Sequence, residues 1–398
     1  MKKSNLPSTV PIIGLGCSSF STFFWTSEEA TKDSPANWTP ETMDKNHPQV
    51  VEWIQTIHSA VLDHGITLLD TAPWYGHGSS EVVIGWALQE ILQTFDRKLL
   101  TVNTKVGRYE ADPKRQFDYS YEMTMKSAQR SLQRMNLSYI DVLQLHDPEF
   151  APSLDQFFSE TIPALLECRD KGLCRALGMT GYPLPVQYQI LQRTLREFPN
   201  TTVWDQALTY GHFNLHDTSL VNQPCFPDQS FAHYLQKSQM GLLAAAPLSM
   251  GLLTHSEPPE WHPASKELQA ACRQAASICE SHGVDISTLA IVVALSHPQI
   301  PCTILGMKDR NQVRLAAAMA NRYQDKQLDL GSPQSEILKQ VLTPKEFKVW
   351  EILEDPKIGP FATIWKNDIY KWNGLQGVKD FWKEVEGVEV QEWQATEE

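Results

Sequence analysis

Asp70, Tyr75, Lys105 and His146 are the residues of this chain best suited to moving a proton. Each stands at or just past the end of a short apolar run. Asp70 closes Gly65-Ile-Thr-Leu-Leu-Asp70, and Tyr75 follows in Thr71-Ala-Pro-Trp-Tyr75. Lys105 ends Leu99-Leu-Thr-Val-Asn-Thr-Lys105, and His146 ends Tyr139-Ile-Asp-Val-Leu-Gln-Leu-His146. A phenol titrates near pH ~10 in water, and an adjacent ammonium favours its ionised form by about 1.4 kcal/mol for each pKa unit. Lys105 can supply that cation, Asp70 the carboxylate that orients it, and His146 a hydrogen bond to an oxygen held against Tyr75. The chemistry is proton transfer at a hydroxyl or carbonyl oxygen. Taken singly, each residue has a plainer reading: a surface tyrosine, a turn-capping aspartate, a snorkelling lysine, a hydrogen-bonded core histidine. Their shared position at strand ends sets these four apart.

The elements that must carry them alternate along the chain. Strand-like runs fall at 12–16, 66–72, 99–107, 139–147, 174–181, 202–210, 241–249 and 301–308, seven of them near-continuously apolar, as strands buried on both faces should be. Helical patterns lie between. Residues 50–64 place Val51, Ile54, Ile57, Val61 and Leu62 on one face, and 121–136 do the same with Met125, Ala128, Leu132 and Met135, ending at Asn136 as a C-cap. Further helices are predicted at 153–171, 265–282, 287–296 and 309–321. This pattern predicts a (β/α)8 TIM barrel over residues 1–343, with an insertion at 20–48 after the first strand. From about residue 344 the chain carries five of its twelve tryptophans: Trp350, Trp365, Trp372, Trp382 and Trp393. A tail so aromatic is expected to pack on the barrel as a C-terminal extension, 344–398, near the mouth.

Composition removes several classes of partner. The 398 residues carry a net charge of −13 and no Lys/Arg-rich run, so nucleic acid and anionic membrane are poor partners. Seven scattered cysteines without a CxxC pair argue for a reducing compartment and against a disulfide framework or a zinc site. With neither a signal-like start nor an 18-residue apolar stretch, the expectation is a cytoplasmic protein, monomeric or a weak homodimer.

Longer motifs carry a resemblance. Asp70-Thr-Ala-Pro-Trp-Tyr-Gly-His-Gly-Ser-Ser-Glu81, Thr104-Lys105-Val-Gly-Arg-Tyr109, Asp141-Val-Leu-Gln-Leu-His-Asp147 and Ala246-Pro-Leu-Ser-Met-Gly-Leu-Leu253 resemble the signatures of the aldo-keto reductase family, in order, over about residues 10–322. Within it, His146-Asp-Pro-Glu-Phe150, Glu160-Thr-Ile-Pro-Ala-Leu165 and Pro258-Pro-Glu-Trp-His-Pro-Ala-Ser265 are similar to the L-galactose and D-threo-aldose dehydrogenase branch. The resemblance implies hydride transfer with a nicotinamide cofactor, Tyr75, Asp70, Lys105 and His146 being catalytic. It implies a cofactor extended across the mouth: Cys17 and Asp70 beside it, Thr180 and Gly181 at the carboxamide, Ala246, Leu248, Ser249 and Met250 over the pyrophosphate. Gly306, Lys308 and Gln312 match the adenosine end, where a helix start favours phosphate. Lys308 suits a 2′-phosphate and hence NADP, whereas the branch implies NAD, the preferred expectation. Ala245 stands where many members carry a ring against the nicotinamide, leaving Tyr210 or a tail tryptophan to supply one. Leu315-Ala316 replaces the Glu-Asn pair common on the last helix.

The expected reaction is oxidation of the C1 hydroxyl of an L-galactose-like aldose to a lactone. Arg108, Asp147 and Glu149 suit a polyhydroxylated small molecule, and Trp74 can stack an apolar sugar face; the plainer reading of the three charges is a barrel rim. Two other functions compete: an NADPH-dependent aldehyde or ketone reductase, and a non-catalytic cofactor-sensing regulatory subunit. Gly14-Leu-Gly-Cys-Ser-Ser19 lacks the third glycine and the acid of a dinucleotide fingerprint. His212 and His216, at i and i+4, lack the acid that would complete a metal site and are expected in a solvated loop.

Overall fold

Eight short strands pair in parallel in chain order and close into a barrel, β8 returning to β1. They are β1 Ile13–Gly16, β2 Leu68–Asp70, β3 Thr101–Val106, β4 Ile140–His146, β5 Cys174–Gly181, β6 Gln206–Tyr210, β7 Gly241–Ala245 and β8 Cys302–Gly306. The structure, a computed structural model, describes residues 11–21, 39–110, 113–222, 229–258, 262, 264–324, 326 and 332–362. The strands are shorter than their apolar runs, because each run includes residues that enter or leave the barrel as loop. β1 to β4 are buried throughout, covered by helices on the outer face and by the packed barrel interior on the inner one. Leu68, Leu208, Leu243, Cys302 and Ile304 fill an interior layer, with Ala245 packed against it.

The helices follow the predicted order with instructive shifts. The first is α-helical over Pro48–His58 and widens into a π-turn at Ser59–Asp63. Its buried face is Val50, Trp53, Ile54 and Ile57, whereas Val51 and Leu62 face solvent. The predicted stripe was therefore rotated, because Trp53 supplies more burial than either of them. Tyr121–Met135 starts at Ser120, whose side chain accepts from Met123 N, and stops at Asn136 in the left-handed conformation, as its C-cap reading requires. The predicted helix at 153–171 breaks into Leu154–Gln156, a π-turn Phe157–Thr161 and Ile162–Asp170. Lys266–Ser281, Ile286–Ala294 and Arg310–Asn321 lie where expected. Helices Ser79–Ile91, Leu184–Glu197 and Phe231–Lys237, not singled out from the sequence, also belong to the coat.

Beyond the barrel, Pro344–Leu353 opens with a capping box between Thr343 and Glu346 and buries Val349 and Leu353. Phe361 is also buried, its ring 6.0 Å from that of His216. The tryptophans at 365, 372, 382 and 393, and most of the insertion, lie outside the described residues. No single helix among the described residues is long and apolar enough to cross a membrane; the apolar pair Lys266–Ser281 and Ile286–Ala294 is bent by 108° and packs into the core.

Candidate active site

Barrel closure brings the four strand-end residues together. The Lys105 ammonium is 2.7 Å from Asp70 Oδ2, donates to Thr71 O at 2.7 Å, and lies 3.3 Å from the Tyr75 hydroxyl. The ring of His146 meets that of Tyr75 edge-on, centroids 6.2 Å apart. Asp70, Lys105 and His146 are buried and Tyr75 half-buried. An oxygen set between Tyr75 and His146 would meet a phenol on one side and an imidazole on the other.

Burial sets the charges. Desolvation works against the Lys105 ammonium, yet Asp70 and Tyr75 outweigh it and hold its pKa above the usual lysine value. Desolvation pushes His146 down to about 3, so its imidazole is neutral at physiological pH; Asp147 opposes the shift, and Lys105 and Arg108 reinforce it. For Tyr75 the net direction is opposite to that expected from the lysine alone. Burial raises the phenol above its ordinary value, and Lys105 recovers only part of that. The apo site therefore holds a protonated tyrosine.

The loop that carries Tyr75 is tied down from below. Thr71 Oγ1 and Ser80 Oγ are 2.9 Å apart, and Ser80 Oγ donates to Cys17 O at 2.8 Å. Glu81, fully buried, accepts from Thr104 Oγ1 at 2.6 Å and from Arg134 at 3.0 Å. Neither Glu81 nor Arg134 was predicted as part of the site, although the invitation was there: a carboxylate next to a strand-end motif needs a cation if it is buried.

The expected sugar side is more enclosed than a rim. Arg108 Nη1 donates to Asp147 Oδ2 at 2.7 Å, and the guanidinium lies 4.2 Å from the Trp74 ring and 5.3 Å from that of Phe117. Asp147 and Glu149 are each 2% exposed, which removes the rim reading for both. Asp147 adopts a left-handed φ of 49°, turning its carboxylate to 3.7 Å from His146 Nε2, and Tyr119 Oη fixes the turn by donating to Asp147 O at 2.6 Å. Burial, with Asp147 beside it, pushes the Glu149 carboxyl up to about 8.

The cofactor positions divide. Thr180 pairs in register with His146, and Gly181 follows at the end of β5, both at the mouth. Gly306 ends β8 in register with Gly16 and is exposed, a Cβ there meeting only Gly16 O at 4.0 Å, a floor on which a flat, extended group can lie. After β7 the loop holds Ala246, Ser249 and Met250 at positive φ, with Leu248 between them, a conformation that concentrates backbone N–H groups for an anion. Lys308 and Gln312 sit at the start of Arg310–Asn321, where Asp309 caps Gln312 N at 2.8 Å and Lys308 N donates to Gln312 Oε1 at 2.9 Å. Two side chains are otherwise engaged: the Cys17 thiol is buried against Leu15 O, and the Ser249 hydroxyl is 3.0 Å from His216 Nε2. These features fit a dinucleotide laid over β1, β7 and β8.

The His212–His216 segment is not solvated. Both rings are buried, His212 bridging Tyr182 O at 2.7 Å and Ser219 Oγ at 2.9 Å, while His216 and His262 grip Ser249. His216 and His262 thus support the β7 loop and His212 the segment after β5, and no group of three or more metal-ligating side chains occurs among the described residues. Tyr210 lies in register beside Ala245 and 5.5 Å from the Tyr182 ring.

The parallel eight-stranded barrel thus presents a phenol, an ammonium, a carboxylate and an imidazole together at its C-terminal mouth. The Aldo/keto reductase family profile matches residues 38–330, and the chain belongs to that family. It is 37% identical over 288 residues to L-galactose dehydrogenase of Arabidopsis thaliana, covering 72% of this chain and 83% of that one. It is 31% identical over 266 residues to D-arabinose 1-dehydrogenase of Saccharomyces cerevisiae, covering 66% and 75%. Among solved structures, the holo form of an aldo-keto reductase from Bacillus halodurans shares the fold at a TM-score of 0.57 and 21% identity, over 86% of this chain and 97% of that one.

Proposed function

We propose that this protein oxidises the C1 hydroxyl of an aldose to the lactone, with NAD as cofactor. The observation that carries the reading is the Lys105 ammonium, held by Asp70 and Thr71 within 3.3 Å of the Tyr75 hydroxyl, with a neutral imidazole across the gap. A nicotinamide held by Thr180, Gly181 and the loop after β7 would supply the hydride acceptor for C1. Tyr75 exchanges the hydroxyl proton, and Lys105 stabilises the phenolate that accepts it. His146 donates from Nε2 to the same oxygen, a tautomer favoured by the Asp147 carboxylate 3.7 Å away. Because burial raises the Tyr75 pKa, oxidation speeds up as pH rises and the reverse reduction slows.

Arg108, Asp147 and Trp74 form the sugar side, an ion pair for hydroxyls and an indole for the apolar ring face. Thr180, Gly181 and Tyr210 flank the nicotinamide; the β7 loop cradles the pyrophosphate; Gly306, Lys308 and Gln312 take the adenosine end. A reducing cytoplasm suits the chain, since all six described cysteines are free and buried.

The test is a panel of aldoses, including L-galactose and D-arabinose, and of aldehydes and ketones, followed at 340 nm with NAD and NADP. Turnover of aldoses with NAD is expected, together with its loss in Tyr75→Phe. Turnover of carbonyls alone, or activity surviving Tyr75→Phe, overturns the proposal.

A further inference from the structure

One polar layer of the barrel interior lies directly against the candidate tetrad. Lys105 on β3 pairs in register with Gln144 on β4, Gln144 with Gly178 on β5, and Gly178 with Gln206 on β6. Both glutamines are buried, at 0% and 3% exposure. Gln206 Nε2 donates to Gln144 Oε1 at 3.2 Å, and Gln144 Nε2 donates to Asp70 Oδ1 at 2.9 Å. The other Asp70 oxygen accepts from Lys105. A continuous line of hydrogen bonds thus runs from β6 across the barrel to the group that faces Tyr75.

Gly178 makes the line possible. A Cβ there would stand 3.0 Å from Gln144 Cγ and 3.2 Å from Gln206 O, so a side chain at this point of β5 would crowd the space in which the two amides meet. The neighbouring layer of Leu68, Leu208 and Leu243 is aliphatic by contrast. Two buried amides cost desolvation unless their bonds are made, and here Gln144 commits both its oxygen and its nitrogen to the line and Gln206 its nitrogen. The direction is fixed too: an amide N–H can only donate, so Asp70 Oδ1 is pinned on the Gln144 side and Oδ2 is presented to Lys105.

We propose that Gln144 is a positioning residue for proton transfer, locking the Asp70 carboxylate so that Lys105 is aimed at the Tyr75 hydroxyl, with Gln206 holding Gln144 in turn across the gap left by Gly178. Without the amide, Asp70 can rotate about its last bond and take the ammonium with it. Tyr75 then loses part of the cation that offsets its burial, and its phenolate becomes harder to form. The inference rests on Tyr75 as the proton-exchanging group, but not on which sugar is turned over.

Gln144→Met keeps the length and volume of the side chain and removes both polar atoms. The first readout needs no substrate: the ionisation midpoint of Tyr75, followed as the ¹³Cζ tyrosine NMR signal that disappears in Tyr75→Phe. The midpoint is expected to move up in Gln144→Met, and in the same direction but less in Gln206→Met. The second readout is oxidation of the best substrate, where kcat at neutral pH is expected to fall on the order of tenfold, part of the ~100-fold or more attributable to a positioned acid–base group. Its alkaline rise shifts to higher pH, while KM for sugar and cofactor stays within about twofold. The double variant is expected to be no worse than Gln144→Met alone, because Gln206 acts only through Gln144. A Tyr75 midpoint and kcat–pH profile unmoved in a folded Gln144→Met overturn the proposal. Should Gln144→Met fail to fold, Gln206→Met decides by the same two criteria. If the wild-type protein oxidises no aldose while Gln144→Met still raises the Tyr75 midpoint, the substrate assignment is refuted and the relay stands.

Discussion

Asp147→Asn isolates the charge beside the proposed acid–base pair. The residue sits at φ 49°, a left-handed conformation that asparagine tolerates better than almost any other side chain, so the backbone stays in place. Its Oδ2 accepts from Arg108 Nη1 at 2.7 Å and lies 3.7 Å from His146 Nε2. Breaking a fully buried ion pair costs about 3–5 kcal/mol. The Arg108 side chain keeps 24% of its exposure and rests on the Trp74 ring, so solvent and indole stabilise part of the charge; the expected cost is about 2 kcal/mol, a fall in Tm of roughly 2–3 °C for a chain of this size. On the substrate side, losing a charged partner for a sugar hydroxyl costs about 1.5–3 kcal/mol, or roughly 10- to 100-fold in kcat/KM. Glu149 then modulates the loss. Burial holds its carboxyl up at about 8, and Asp147 adds to that; without the Asp147 charge it ionises closer to neutral pH and can take over Arg108. The deficit should therefore shrink between pH 6 and 8, and stay constant in Asp147→Asn/Glu149→Gln. Initial rates at 340 nm with saturating cofactor and varied sugar measure this. Full sugar kcat/KM in Asp147→Asn, or a loss carried wholly by cofactor KM, refutes the reasoning.

Glu149→Gln alone tests the buried acid. A free glutamate titrates near 4.5, whereas Glu149 titrates at about 8 in the fold. Between these values the folded protein keeps a proton that the unfolded chain releases, so stability falls as pH rises through that window. The amide still accepts from Tyr182 N, so the variant should gain Tm over wild type from pH 5 to 8.5; an equal difference at both ends contradicts the assignment. Gly85→Ala places a Cβ 2.4 Å from Arg134 O, rigid backbone of the neighbouring helix. Overpacking of about 1–3 kcal/mol should outweigh the ~1 kcal/mol of helix propensity gained, seen as a lower urea midpoint; a rise shows the helices can part at no cost. Lys308→Ala should weaken NADP binding about two- to fivefold and leave NAD binding nearly unchanged, as loss of a single exposed charge near a phosphate implies. Equal effects on the two cofactors in a fluorescence titration argue against Lys308 at the adenosine end.

Why some of this site is legible in the sequence and some is not follows from what each residue contacts. Asp70, Lys105 and His146 can be found because a strand-end position is a local property: a short apolar run, then a polar residue. Asn136 is legible for the same reason, since a C-cap depends only on its own backbone. Gln144 lies in one of the best-recognised strands, yet its purpose is invisible there. Its partners are 74 positions back and 62 ahead in the chain, and the residue that makes room for it is a glycine on the strand between. The His212–His216 pair fails in the opposite sense. Polar residues between a strand and a helix look like solvated loop, whereas each ring is buried and serves a backbone or hydroxyl group on another loop. Tyr75 shows the limit of pairwise reasoning: the lysine that favours its ionisation was legible, but the burial that outweighs it is a property of the closed barrel. At the Tyr75 phenol burial and the Lys105 charge act in opposite directions, and it is that balance which the Gln144 amide, through Asp70, is proposed to tip.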